Sequence, residues 1–113
     1  MNCIFCQIAE GTIPANVVFK DDKVMAFRDI HPQAPVHIVI IPIKHIETLT
    51  DIRGDDFGLI AYIFDIANDL ARSEGIAGRG YRVVVNSGKE GGQVVQHLHF
   101  HLLGGRQLSG ELG

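Results

Sequence analysis

Polar and apolar positions alternate strictly near the end of the chain, through Gln96-His97-Leu98-His99-Phe100-His101-Leu102-Leu103. Period-two alternation predicts a strand over residues 94–103, with three imidazoles on one face and Leu98, Phe100 and Leu102 on the other. Apolar runs bounded by turn residues predict further strands at Val17–Lys20, Val24–Arg28, 37–41 and 81–86. Asp21-Asp22 reads as a tight turn, and Pro42 closes the third strand. Residues 29–35 hold two prolines and read as a loop, as do 87–92. Residues 3–10 suit a short helix stopped by Gly11, with Pro14 beyond it.

One long helix is expected over residues 55–74. Asp55, Gly58, Tyr62, Asp65, Asp69 and Arg72 form a narrow polar stripe. Leu59, Ile60, Ile63, Phe64, Ile66, Ala67 and Leu70 cover most of the remaining circumference. An ordinary surface helix has a narrower apolar face. Either a thick core or a second subunit must cover the excess, and a homodimer is the expectation taken here. Strands, one long helix and more strands, joined by short antiparallel-type connections, indicate an α+β fold rather than a βαβ repeat.

Composition narrows the function. The 113 residues fit one domain, 1–113, and 46% hydrophobic residues argue against disorder. A net charge of -3 offers no basic field for nucleic acid. No basic n-region with a long apolar stretch opens the chain, and the apolar run 36–43 is broken by His37 and Pro42. A cytoplasmic location is therefore expected. In that compartment Cys3-x-x-Cys6 is a reduced pair, open to readings as a metal knuckle, a redox pair or coincidence.

Three neighbouring imidazoles are costly to bury without partners, and imidazole suits nucleophilic, acid–base or metal chemistry near neutral pH. A histidine nucleophile needs one ring nitrogen free and the other held by an acceptor. His99, the middle ring, is best placed, with same-face neighbours to donate to phosphate oxygens. Gly91-Gly92-Gln93 lies directly upstream, where glycine N–H groups and the Gln93 amide could cradle a phosphate. His37, taken alone, reads as a satisfied core histidine.

Residues 96–103 resemble the histidine triad signature, His-φ-His-φ-His-φ-φ with φ apolar, and the chain resembles the Hint branch of the histidine triad (HIT) nucleotide-binding proteins. Ile4-Phe5, Ile13-Pro14-Ala15, Ala26-Phe27-Arg28-Asp29-Ile30, Pro32-Gln33-Ala34-Pro35, His37-Ile38-Val39-Ile40-Ile41-Pro42, Gly80-Tyr81-Arg82 and Gly104-Gly105-Arg106 follow in family order. The resemblance implies a five-stranded antiparallel sheet with one long and one short helix, extended across a homodimer. It implies a purine-nucleotide site that binds AMP and cleaves the P–N bond of adenosine (purine nucleoside) phosphoramidates, with no cofactor for catalysis.

By that resemblance, His99 attacks the α-phosphorus and forms a nucleotidyl-histidine, which water hydrolyses. The His97 carbonyl holds the other nitrogen of His99, His101 contacts the phosphate and leaving group, and His37 supports the triad. Asp29 matches the ribose-binding carboxylate. Ile4, Phe5, Ile8, Phe27 and Ile30 match the slot for the base, and Asn86, Gly92, Gln93 and Val94 match contacts near phosphate and sugar. Many Hint proteins carry serine where Val94 stands, so one side-chain donor is missing here. Gln96 replaces a common aromatic residue, and the tail after Arg106 is short and lacks tryptophan. Some bacterial members resembling this chain bind structural zinc, which would place Cys3, Cys6, His45 and His97 around one ion.

Two rival functions differ in class. The three histidines could ligate a catalytic zinc, although convergence from i, i+2 and i+4 of one strand is awkward. The chain could also be a nucleotide-binding regulatory protein with slow, incidental hydrolysis.

Overall fold

The computed structural model describes residues 3–113. Its elements run α1 (Ile4–Glu10), β1 (Val17–Lys20), β2 (Val24–Arg28), β3 (Val36–Pro42), a 3-10 turn (Leu49–Asp51), α2 (Asp56–Ser73), β4 (Tyr81–Val85) and β5 (Phe100–Gly104). The five strands form one antiparallel sheet in the order β1-β2-β3-β5-β4. This is the expected α+β architecture of five antiparallel strands with one long and one short helix.

Alternation assigns the two faces. Val24, Ala26, Ile38, Ile40, Phe100 and Leu102 point to one side and pack with Ile63, Ile66, Ala67 and Leu70 of α2. Met25, Phe27, Val39 and Ile41 point to the other and pack with Ile8 and Ala9 of α1. The register sets Val39 of β3 and Val84 of β4 opposite His101. His37 lies two residues from Val39, so it shares the face of His101.

The short helix α1 is closed at both ends. The Cys3 thiol caps it by accepting from the Cys6 N–H at 3.2 Å. Gly11, with φ of 85°, ends it in the left-handed conformation that other residues rarely adopt.

Two expectations need correction. The last strand is regular only from Phe100, not from residue 94. His97 and Leu98 are tied elsewhere: the His97 ring donates to the Pro42 carbonyl at 2.8 Å, and the Leu98 N–H donates to the Ile46 carbonyl at 2.7 Å. The alternation of faces nevertheless persists, because Leu98, Phe100 and Leu102 are all fully buried in the α2-side core. The second correction concerns α2. Tyr62, placed on the polar stripe, is half-buried and its hydroxyl donates to Asp21, next to the β1–β2 turn. Phe57 and Phe64 are 62% and 46% exposed, so part of the apolar surface of α2 is left uncovered by its own chain.

Candidate functional site

The site assembles where the segment leading into β5 passes α1. His99 is 6% exposed, and its Nδ1–H donates to the His97 carbonyl at 2.7 Å. A carbonyl only accepts, so the proton of the neutral ring sits on Nδ1 and the lone pair on Nε2. The Phe5 ring stands edge-on to His99 at 5.1 Å and to Phe27 at 5.5 Å. His101 lies beside His99 with ring centroids 5.1 Å apart.

The remaining imidazole joins from β3. The Gln33 peptide N–H donates to His37 Nδ1 at 3.0 Å, and His37 Nε2 lies 2.9 Å from His101 Nδ1. Asp29 Oδ2 is 3.4 Å from the same His37 nitrogen. His37 is therefore no isolated core histidine but the partner of the third triad ring. Burial, then the neighbouring His99 and His37 rings, push the His101 pKa down from 6.5 to about 4. Burial pushes His37 down as well, partly offset by Asp29. These rings are neutral at pH 7. An unfolded chain protonates them below about pH 6.5, so the stability they carry is present above that pH. It is lost as pH falls toward the folded value of His101.

Other predicted residues fall into place unevenly. Phe5 joins Ile8 and Phe27 in one apolar cluster, with Ile8 and Phe27 buried and Phe5 half-buried above them. Ile4 is 46% and Ile30 85% exposed, so Ile30 stands outside that cluster. Asp29 Oδ1 accepts from the His31 N–H at 2.8 Å. Asn86 donates to the Gly91 carbonyl at 2.7 Å and lies against Gly92. Gly91 is indispensable to that turn, because a Cβ there would sit 2.4 Å from the Ser87 carbonyl oxygen.

Gln93 departs from the expected role. It is buried, and its amide donates both hydrogens inward, to the carbonyls of Glu47 at 2.7 Å and Val95 at 3.0 Å. Its Oε1 accepts from the Gly88 N–H at 2.8 Å. The peptide N–H groups of Gly92 and Gln93 also turn inward, to Lys89 and Gly88. The loop is stapled shut by Gln93 rather than held open as a ring of donors. Val94, next along, exposes an apolar side chain at 87%.

A second cluster lies on the far side of His97. Its Nε2–H is spent on Pro42, leaving Nδ1 as a lone pair. That nitrogen is 3.1 Å from His45 Nδ1, 3.3 Å from Cys3 Sγ and 3.6 Å from Cys6 Sγ, with Cys6 Sγ 3.4 Å from His45 Nδ1. A tetrahedral zinc with ordinary bond lengths separates its ligand atoms by about 3.3–3.8 Å. The four residues thus fit a metal ion. Without one, burial and the neighbouring Cys3 push the Cys6 thiol up to about 11. A cleft of about 410 Å³ lined by Cys3, Ile4, His45, Glu47, Val94, Val95 and Gln96 opens beside the cluster and offers an entry path. Asp29, His37 and His101 also converge, but hydrogen bonds occupy both His37 nitrogens and His101 Nδ1, the nitrogen that faces His37.

The HIT domain family model matches residues 10–108, nearly the whole chain. The chain belongs to the HIT family. It is 55% identical over 108 residues to an uncharacterized HIT-like protein of Chlamydia trachomatis, covering 96% of each chain. It is 47% identical over 105 residues to the purine nucleoside phosphoramidase of Escherichia coli K12, covering 93% of this chain and 88% of that one. In three dimensions it is similar to the HIT family hydrolase of Legionella pneumophila, with a TM-score of 0.97, 54% identity, and 99% and 100% of the two chains covered. No helix among the described residues of this HIT chain is long and apolar enough to cross a membrane.

Two contributors to the HIT site escaped the sequence: the carbonyl of Pro42 and the peptide N–H of Gln33. Every residue carries such backbone groups, so no residue type marks them in advance.

Proposed function

We propose that this HIT-family protein hydrolyses the P–N bond of adenosine or other purine nucleoside phosphoramidates. The observation that carries this reading is the hydrogen bond from His99 Nδ1 to the His97 carbonyl, which leaves Nε2 of a buried imidazole as the nitrogen free to attack. Nε2 forms a bond to the α-phosphorus as the P–N bond breaks, and the amine leaves with a proton taken from solvent, which the water of the second step gives back. Water then attacks the phosphorus of the nucleotidyl-His99, releases the nucleoside monophosphate and restores the ring. His101, neutral, donates a hydrogen bond from Nε2–H to a phosphoryl oxygen. Asp29 accepts from the ribose hydroxyls, and Phe5, over Ile8 and Phe27, contacts the purine. Asn86, Gly92, Gln93 and Val94 shape the phosphate end of the site. The 47% identity to a purine nucleoside phosphoramidase supports the substrate class. No cofactor is required for this step, and the ion suited to Cys3, Cys6, His45 and His97 is structural zinc.

A denaturing quench at alkaline pH, where the P–N bond of a nucleotidyl-histidine survives, applied to a reaction with a radiolabelled adenosine phosphoramidate tests the reading. The nucleotide label is expected on the peptide containing His99. A label on any other residue overturns the mechanism, and absence of turnover overturns the activity.

We also propose a homodimer as the working form. Exposed Phe57 and Phe64 on α2 and the open edge of β4 need a cover, and a second copy would supply it. Sedimentation is expected to show a dimer at micromolar concentration and a monomer for Phe57→Glu. A monomeric wild type would refute it.

A further inference from the structure

The chain has a second set of contacts behind the triad, and they converge on the backbone of one residue, Gln33. The Gln33 N–H points at His37 Nδ1 at 3.0 Å. A side-chain hydroxyl at that place could turn and accept, but a peptide N–H can only donate. His37 Nδ1 must therefore be an acceptor, and the single proton of the neutral ring must sit on Nε2. That proton faces His101 Nδ1 at 2.9 Å. His101 Nδ1 is then also an acceptor, and its proton is confined to Nε2. One backbone group thus fixes the tautomers of two rings in sequence.

Gln33 is itself held in place through its following peptide. Arg106 Nη2 donates to the Gln33 carbonyl at 2.9 Å, while Nη1 holds the Gln107 carbonyl at 2.9 Å. The Gln33 side chain donates to the His31 carbonyl at 3.3 Å. Gly105, with φ of 95°, lets the chain after β5 lie against the loop, since a Cβ there would sit 2.9 Å from Pro35 Cβ. The Asp29 N–H closes the base of the loop on the His37 carbonyl at 3.0 Å.

We propose that the Gln33 peptide N–H, braced by Arg106, is a tautomer lock that keeps His37 and His101 neutral and presents His101 Nε2–H outward as a permanent hydrogen-bond donor. The lock makes Gln33 and Arg106 positioning residues for the phosphate-facing ring, and in that respect it rests on the function proposed above. It also limits His101. A doubly protonated His101 would turn its Nδ1–H onto the Nε2–H of His37, so the ring stabilises phosphoryl charge without delivering a full positive charge. The charged and titratable groups facing the pair are Asp29 and His99, of which only Asp29 favours protonation.

Ring ¹⁵N NMR on histidine-labelled protein tests the lock. In the wild type at pH 7, His37 and His101 are expected as pure Nε2–H tautomers. Gln33→Pro deletes the N–H, and Arg106→Ala removes the brace. Both are expected to give His37 mixed tautomer signals, with kcat down about tenfold, the scale of one net hydrogen bond, and KM changed by less than about twofold. Arg106→Lys, which restores one donor, should recover part of the loss. A wild-type His37 protonated on Nδ1, or a folded Gln33→Pro protein with unchanged His37 and His101 signals, overturns the lock. The spectra need no substrate, so this outcome is separate from whether the protein turns over phosphoramidates. If Gln33→Pro does not fold, the wild-type spectrum and Arg106→Ala still decide the matter.

Discussion

Replacing His99 with alanine is expected to cut turnover of an adenosine phosphoramidate by roughly 10⁴–10⁶-fold, the scale of a lost nucleophile. Affinity for AMP should change only a few-fold. The two quantities separate because, in the proposed mechanism, His99 supplies the attacking nitrogen, whereas recognition is spread over Phe5, Asp29 and His101. The ring makes one outgoing hydrogen bond, to the His97 carbonyl. Its removal leaves that carbonyl unpaired but takes no partner from His101, which is held by His37. Single-turnover kinetics and calorimetric titration with AMP measure the two effects on one sample. Residual turnover within about tenfold of wild type would remove His99 from the nucleophile's role, because a spectator cannot carry an effect of 10⁴. His99→Asn, closer in shape, should behave as the alanine variant does.

Stripping the metal is expected to produce the largest change in stability. An ion present at about 1,000 times its Kd stabilises the folded chain by about 4 kcal/mol. For a domain of this size that corresponds to a fall in Tm of roughly 15 °C on chelation. Purified without chelator, the protein should carry one zinc per chain, and Cys6→Ala and His45→Ala should carry none and melt with the stripped wild type. The pH dependence follows from the ligands. Both thiols must lose protons to bind, so acid competes with the ion, and the gap between loaded and stripped protein should close as pH falls toward 5. Wild-type protein free of metal, or a Tm that chelator leaves unchanged, would refute the zinc site. Phe5 lies between the two cysteines and against His99, at 5.1 Å. The stripped protein should therefore also bind AMP more weakly.

Much of the fold was legible because period and burial coincide. Val24–Arg28 and Val36–Pro42 are both nearly fully buried, and their β-branched and apolar runs bear that out. In the histidine stretch, alternation marks the faces but overstates the length of the strand. Its faces were right, since Leu98 and Phe100 reach the core, but its first half bonds to residues 42–46 instead of joining the sheet. A bond from a ring to a distant carbonyl leaves no trace in periodicity. The metal cluster was half legible: Cys3-x-x-Cys6 has knuckle spacing, but His45 is indicated only by resemblance to relatives. Gln93 illustrates the opposite limit. An amide beside two glycines reads as an available donor, yet burial at 6% exposure leads it to spend its hydrogens on Glu47 and Val95. For α2 the composition was sound, and what it could not say is which apolar residues its own sheet would leave bare.

The position of β5 between β3 and β4 has a consequence for how the protein fails. His101 sits on a strand paired on both sides, and His37 on its neighbour. Amide hydrogens there exchange with solvent only when the whole sheet opens. Phe5, by contrast, rides on a helix of seven residues held by a small apolar cluster, the cysteine–histidine contacts and the Lys20 ammonium on the Ala9 carbonyl. That helix is expected to open locally before the sheet does. In the proposed function the base-binding and phosphate-binding walls therefore belong to units of different size, and amide exchange is expected to be faster in α1 than in β5.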